Sequence, residues 1–322
     1  MNKKSMNIIA RTAFVAAAAA LLSVGCSTIK AEAANERPNI VLILADDLGY
    51  GDTRLTNSTS TVNTTNIKSI ADNGVLITNG YVASPVCSPS RAGLMTSEYP
   101  SRFGAESNDS SRFRPERVPA QTIATLLEGS SGKGYATKII GKWDIGGKSS
   151  LVGSTYWPIE RGFGAFYGIT GGISSYYRTD GTAPSSAWYF DGTNAMNDGL
   201  FTNVNQNLNV KEYVGGTTPY VDRNPNIYLT DKFTDEAVAF IDSQPGTTTN
   251  PFFLYLPYNS PHKPFMAPDA FYQNAPGSGA ERLYNAMVAN LDYNIGRVLT
   301  KLDNMGMTNN TLVVFVSDNG NA

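Results

Sequence analysis

Asp46 and Asp47 are adjacent in this chain, and Asp318 is followed directly by Asn319. Gathered at one point, these residues offer three carboxylates and an amide, hard oxygen ligands suited to Ca2+ or Mg2+ rather than zinc. Without a cation the same carboxylates repel one another and resist ionising. A structural role competes with this reading, because Asp-Asp and Asp-Asn-Gly are also common turns and helix caps. Cys87 lies between Pro85 and Pro89, just ahead of a stretch of helical character at 91–96. A thiol at such a helix N-terminus meets free backbone amides and the positive end of the helix dipole, which favour an anion. Arg91, one turn along, adds fixed positive charge. The alternative is a buried structural cysteine, which the polar Ser88, Ser90 and Arg91 disfavour. Two further groups, Lys142 with Asp144, and His262, the only histidine, each follow an apolar run.

Those apolar runs are the elements that must position the chemistry. Residues 40–44, 137–140, 252–256 and 312–316 are short and unbroken, as expected of strands buried on both faces. Their polar tails, 45–47, 141–144, 257–262 and 317–320, hold the candidate groups. In an open parallel sheet, ligands bind beyond the carboxyl ends of the strands, so the four tails are expected to share one crevice. Helical spacing separates the strands, as parallel crossovers require. It occurs at 66–72, 121–128, 231–242 behind a Thr230 or Asp231 cap, and 282–302 with Met287, Leu291, Ile295, Val298 and Leu302 in one stripe. Between 168 and 226, Gly, Tyr, Asn and Thr break the rhythm, and this region reads as a long insertion or a pair of short hairpins.

The beginning of the chain reads as an export signal: Lys3 and Lys4, an apolar run at 8–24, then Gly25-Cys26-Ser27. Cleavage is expected after Ala33, or just before Cys26 as in a lipid-anchored protein, although Ser23 stands where such signals carry a larger aliphatic residue. Either cut leaves Cys87 as a single cysteine with no disulfide partner. Residues 34–322 suffice for one large α/β domain or two smaller ones. The formal net charge of -2, without a basic run, argues against nucleic acid as a partner. Any membrane contact is expected only through the lipid anchor.

Cys87-Ser88-Pro89-Ser90-Arg91 fits the Cys-x-Pro-x-Arg signature of the type I, formylglycine-dependent sulfatases, and five ordered motifs extend this resemblance along the chain. "RPNIVLILADDLGYGD" is similar to the family's first strand and metal motif. "GKWDIG" resembles its Gly-Lys-Trp-His-x-Gly segment, and "RGFGAFYG" a family turn. "PFFLYLPYNSPHKP" resembles its second histidine segment, and "FVSDNG" its closing metal motif. The resemblance implies an alkaline-phosphatase-like α/β sandwich with a central, mostly parallel sheet flanked by helices. It implies that a formylglycine-generating enzyme converts Cys87 to formylglycine. One hydroxyl of the hydrated aldehyde would then attack sulfur, and the other would expel sulfate. It further implies one Ca2+ held by Asp46, Asp47, Asp318 and Asn319 and touching residue 87. Arg91 and Lys142 would hold the diol and the sulfate oxygens, and His262 would protonate the leaving alcohol.

Two departures stand out. Asp144 occupies the place of a family histidine, where it is a candidate base for the same proton while adding negative charge beside an anionic substrate. The chain also stops just after Gly320, where relatives continue to another active-site lysine and a smaller C-terminal subdomain. The expectation is therefore a fragment lacking that subdomain. The leading function is an exported sulfatase of sulfated carbohydrate, with Tyr176, Tyr177, Trp188, Tyr189 and Phe190 as candidates either for stacking on sugar rings or for packing within the loop. The alternatives are a phosphonate or phosphate monoester hydrolase, or a non-catalytic glycan-binding protein on a decayed scaffold.

Overall fold

Seven residues, Asn39–Ala45, form strand β1, and all but Ile40 are buried. Alternate side chains point to opposite faces of a strand, so Val41, Ile43 and Ala45 join one apolar core while Leu42 and Leu44 join a second. A strand apolar on both faces belongs between two layers of helices. The computed structural model describes residues 37–108, 115–128, 134–145, 156–169, 171, 176, 189–191, 194–195, 210–213, 220–223, 228–245 and 250–321. The expected signal segment with Cys26, and Tyr177 and Trp188, lie outside these residues.

Five strands run parallel in the order β10 (Thr311–Ser317), β1, β8 (Phe252–Pro257), β2 (Ala136–Lys142) and β3 (Ala165–Ile169). Two short antiparallel strands, β4 (Tyr189–Asp191) and β5 (Asn194–Ala195), continue the sheet beyond β3. The insertion thus contributes one hairpin here. A second, β6 (Val210–Tyr213) with β7 (Tyr220–Arg223), pairs with β9 (Met266–Pro268) in a separate three-stranded sheet. At the other end, among the described residues, β10 pairs with β1 alone, and most of its residues are only half-buried.

Helices α1 (Thr65–Asp72), α5 (Leu229–Asp242) and α7 (Gly279–Asn304) cover the core built on Val41 and Ile43. Helices α2 (Cys87–Thr96) and α4 (Ile123–Leu127) cover the opposite face, and the single-turn α3 (Pro100–Phe103) and α6 (Asp269–Tyr272) add Phe103 and Tyr272 to the two cores. Each fully buried Leu, Ile or Phe on these faces contributes about 1.5–3 kcal/mol of transfer free energy. The expected cap of α5 does not form. The helix begins at Leu229, two residues before Asp231, whose carboxylate instead accepts from Asn290 at 3.0 Å and Asn294 at 2.6 Å on α7. Pairing with a neighbouring helix outcompetes the local cap.

Gly141 shows why one strand end needs glycine. Its φ is +134°, and an added Cβ would lie 2.0 Å from the Pro257 carbonyl oxygen of β8. Gly141→Ala is expected to destabilise the protein by about 2–3 kcal/mol, read as a lower denaturant midpoint. Because Lys142 is the next residue, activity should fall with stability.

Candidate active site

Parallel register fixes the distance between residues far apart in sequence. Ala45 of β1 lies opposite Ser317 of β10, so the residues immediately beyond them, Asp46 and Asp318, emerge side by side. Their backbones stay tied, since Asp318 N donates to Ala45 O at 3.0 Å and Asp47 N to Asp318 Oδ1 at 3.2 Å. Asp47 then turns away with φ +61°, a left-handed conformation that aspartate tolerates better than most residues. From the other side, β8 delivers residues 258–262, where Ser260 O accepts from Asp46 N at 3.0 Å. β2 delivers Lys142, and Asp144 follows in a left-handed turn at φ +53°. Trp143 anchors that turn by donating from Nε1 to Tyr156 O at 2.9 Å and packing edge-on against Phe163.

Helix α2 begins at Cys87, which is 7% exposed, and carries Arg91, which is fully buried. The Arg91 guanidinium binds Asp318 Oδ2 through Nε at 3.0 Å and Nη2 at 2.8 Å, and Nη1 donates to Lys142 O at 3.0 Å. Nη2 also lies 3.2 Å from Asp46 Oδ1, an ion-pair distance without hydrogen-bond alignment. Lys142 Nζ donates to Asp46 Oδ2 at 2.7 Å and lies 3.7 Å from Asp144 Oδ2. His262 Nε2 lies 3.4 Å from Asp47 Oδ2, and Asn319 Nδ2 donates to Asp47 Oδ1 at 2.6 Å. The catalytic and metal-ligand candidates Asp46, Asp47, Cys87, Arg91, Lys142, Asp144, His262, Asp318 and Asn319 therefore fall in one cluster at the carboxyl rim of the sheet.

Charge in this cluster is unbalanced: Asp46, Asp47, Asp144 and Asp318 face two cations, Arg91 and Lys142. Burial drives the Asp318 carboxyl above its ordinary range, with Asp46 adding to the shift and Arg91 opposing it. Burial opposes protonation of Lys142, yet Asp46 and Asp144 together hold its ammonium well above the usual range. The Cys87 thiol is pushed up to about 12, first by burial and then by Asp46 and Asp318, against the pull of Lys142 and Arg91. This corrects the expectation that the helix N-terminus makes Cys87 an anion. Desolvation and two carboxylates overrule the dipole, so the unmodified residue is a neutral thiol.

A divalent cation fits these residues. It would offset the surplus negative charge, and two buried oxygens, Asp46 Oδ1 and Asn319 Oδ1, accept no hydrogen bond. Ligand atoms of Asp46, Asp47, Cys87 and His262 all lie within 4.8 Å of one another. With a thiol and an imidazole among them that set is mixed in character. Oxygen in place of sulfur at residue 87 shifts it towards the hard cations.

Three supporting contacts escaped the sequence analysis. Ser90 Oγ donates to the Asp318 carbonyl. Tyr284 of α7 places its hydroxyl 2.5 Å from Asp52 Oδ2 and 3.2 Å from the Asp47 carbonyl, securing the loop after β1. Tyr176, expected to be a candidate sugar-stacking residue, is instead fully buried beneath the His262 segment. A tyrosine or serine whose partner is a distant backbone carbonyl leaves no periodic or spacing signal.

The sheet order, the two helical layers and a charged crevice at the strand ends define an α/β protein of the alkaline-phosphatase-like class. Its solved neighbours include the crystal structure of Ps i-CgsB, at TM-score 0.67 and 31% identity over 88% of this chain and 59% of that one. That protein is also known in complex with k-i-k-neocarrahexaose. The chain belongs to the sulfatase family, whose model matches residues 38–322. Curated relatives include N-acetylgalactosamine-6-sulfatase of Mus musculus, 30% identical over 96% of this chain and 55% of its own length. Sulfatase YdeN of Escherichia coli (strain K12) is 31% identical over 88% of this chain and 52% of its own length. The chain thus spans about half the length of the curated relatives it matches.

Proposed function

We infer that this chain carries the sulfate-binding and nucleophile-bearing part of an exported sulfatase acting on a sulfated carbohydrate. The observation that carries the reading is the buried cluster at the strand ends, in which ion pairs fix Arg91 and Lys142 on Asp46 and Asp318, beside Cys87. The sugar is supported by the names of two relatives, an N-acetylgalactosamine-6-sulfatase and a protein solved with neocarrahexaose.

Formylglycine at position 87, made from Cys87 by a formylglycine-generating enzyme, would supply a nucleophile that thiol chemistry cannot. A Ca2+ ion on Asp46, Asp47, Asp318 and Asn319 would supply Lewis-acid stabilisation of charge on the transferring group. The protein's own groups do the rest. Arg91, held by Asp318 and the Lys142 carbonyl, fixes the start of α2 and with it the orientation of residue 87. Lys142 presents a permanently charged ammonium for sulfate oxygens. His262 Nδ1 lies 2.5 Å from the Lys263 carbonyl, and a carbonyl only accepts, so the Nδ1 proton is committed there. Nε2, 3.4 Å from Asp47 Oδ2, carries a proton only when the ring is an imidazolium, and in that form it would give the proton to the departing alcohol and leave the ring neutral. Asp144, beside Lys142, takes the place of a base for the hydroxyl of residue 87.

The test is mass spectrometry of the Cys87 peptide after coexpression with a formylglycine-generating enzyme, followed by assay on matched aryl sulfate and aryl phosphate. Loss of sulfur to an aldehyde and preference for the sulfate support the reading. Preference for phosphate points to a monoester hydrolase of the same fold, and an unmodified thiol with no Ca2+ uptake points to a binding protein. Asp144→Asn separates charge from proton transfer. Removing one like charge about 4 Å from the sulfate site is worth about 1 kcal/mol in a water-filled, high-dielectric crevice. KM for a sulfate ester should therefore fall roughly fivefold, while kcat falls through loss of the base.

A further inference from the structure

We propose that Tyr176 is a positioning residue that aims His262 at the leaving oxygen. The proposal rests on the general-acid role given to His262 above. The hydroxyl of Tyr176 is buried and donates to two carbonyls, that of Asn259 and that of His262 at 2.7 Å. These are the first and last residues of one turn, which His262 N closes by donating to Asn259 O at 3.2 Å. The same turn is tied to the metal side of the site, because Ser260 O accepts from Asp46 N. One phenolic proton is thus shared across both ends of the segment that carries the imidazole.

Tyr176 is itself fixed. Its ring stacks on Tyr228 with centroids 5.4 Å apart, and its carbonyl accepts from Leu229 N at the start of α5 at 2.6 Å. Tyr228 in turn donates to Met266 O at 2.7 Å, on the far side of the histidine segment. Two tyrosines from different parts of the chain therefore brace residues 259–266 from beneath. Without the Tyr176 hydroxyl, the His262 carbonyl loses this buried donor and the Asn259 carbonyl keeps only His262 N. The turn relaxes, and the imidazole moves relative to Asp47 and the leaving group. A displacement of about 1 Å at a catalytic group costs on the order of 10²-fold in rate.

Tyr176→Phe removes the hydroxyl and keeps the stacked ring. In the matured full chain it should slow hydrolysis of an alkyl or sugar sulfate, whose leaving group needs a proton, by roughly 10²-fold. Hydrolysis of 4-nitrophenyl sulfate, whose leaving group needs none, should change less than about threefold on the same grounds. In a Tyr176→Phe, His262→Ala double variant the tyrosine should add no further loss, as expected when it acts only through the histidine. Because His262 is the only imidazole, its one Cε1–H 1H–13C cross-peak in the unmodified chain reports the geometry without turnover. That peak should broaden or split in Tyr176→Phe. Equal slowing of both substrates, additive losses in the double variant, or an unchanged cross-peak each overturn the proposal. If His262→Ala itself leaves alkyl sulfate hydrolysis intact, the general-acid reading fails and takes this proposal with it. If only His262→Ala discriminates between the substrates, the proposal alone fails.

Discussion

Cys87→Ala is expected to lower kcat/KM by on the order of 10⁵-fold or more, the scale seen when a catalytic nucleophile is removed. Folding should be unaffected, because the side chain is small, buried and makes no ion pair of its own. The wild-type chain produced without a maturation enzyme should be equally inactive. With its thiol pushed up to about 12 by burial, Cys87 is a poor nucleophile at neutral pH. The matured wild type should turn over while the other two do not, and in calorimetric Ca2+ titration it should bind the cation more tightly than either, because only it offers oxygen at residue 87. Turnover by unmodified Cys87 would show that the chemistry does not run through an oxidised residue.

Arg91→Met should produce the largest loss of stability. Arg91 is fully buried, and its guanidinium holds Asp318, Asp46 and the Lys142 carbonyl together. Removing one partner of a buried pair strands the other charge, at a cost of about 3–5 kcal/mol. The melting temperature should fall by roughly 10 °C. Pairing it with Asp318→Asn should recover part of the loss, because the stranded charge goes too. A pH dependence follows from Asp318, whose folded-state carboxyl titrates above its ordinary range through burial. A group raised on folding is tolerated while protonated and destabilises as pH rises through its folded value. The Arg91→Met deficit should therefore be small at acidic pH and grow towards neutrality, and Ca2+ should reduce it. A deficit that shrinks with rising pH would contradict the ion-pair account.

The sheet was legible in the sequence because its central strands are unbroken apolar runs, and a strand buried on both faces has no polar register to confuse it. The site was legible for a related reason, since polar residues directly after such runs have only the carboxyl rim to occupy. Asp46 and Asp318 meet although 271 residues separate Asp318 from Asp47, and parallel register alone brings them there. What stayed hidden depends on contacts between elements. The start of α5 follows from Asp231 reaching Asn290 and Asn294, and nothing near Asp231 in sequence announces those partners. Tyr176 looked like a surface aromatic because its surroundings are polar, whereas its role depends on a turn 83 residues away. The protonation of Cys87 was misjudged because a helix dipole is visible in sequence while depth of burial is not.

Asp318 and Asn319 follow β10, which among the described residues is held in the sheet through β1. A pair of strands can part through local fluctuations that need not unfold the whole domain. Each such opening would withdraw a carboxylate and an amide from the crevice and unclasp Arg91. Site integrity and closure of the β1–β10 pair are thus one equilibrium, on which a bound cation would act as a latch.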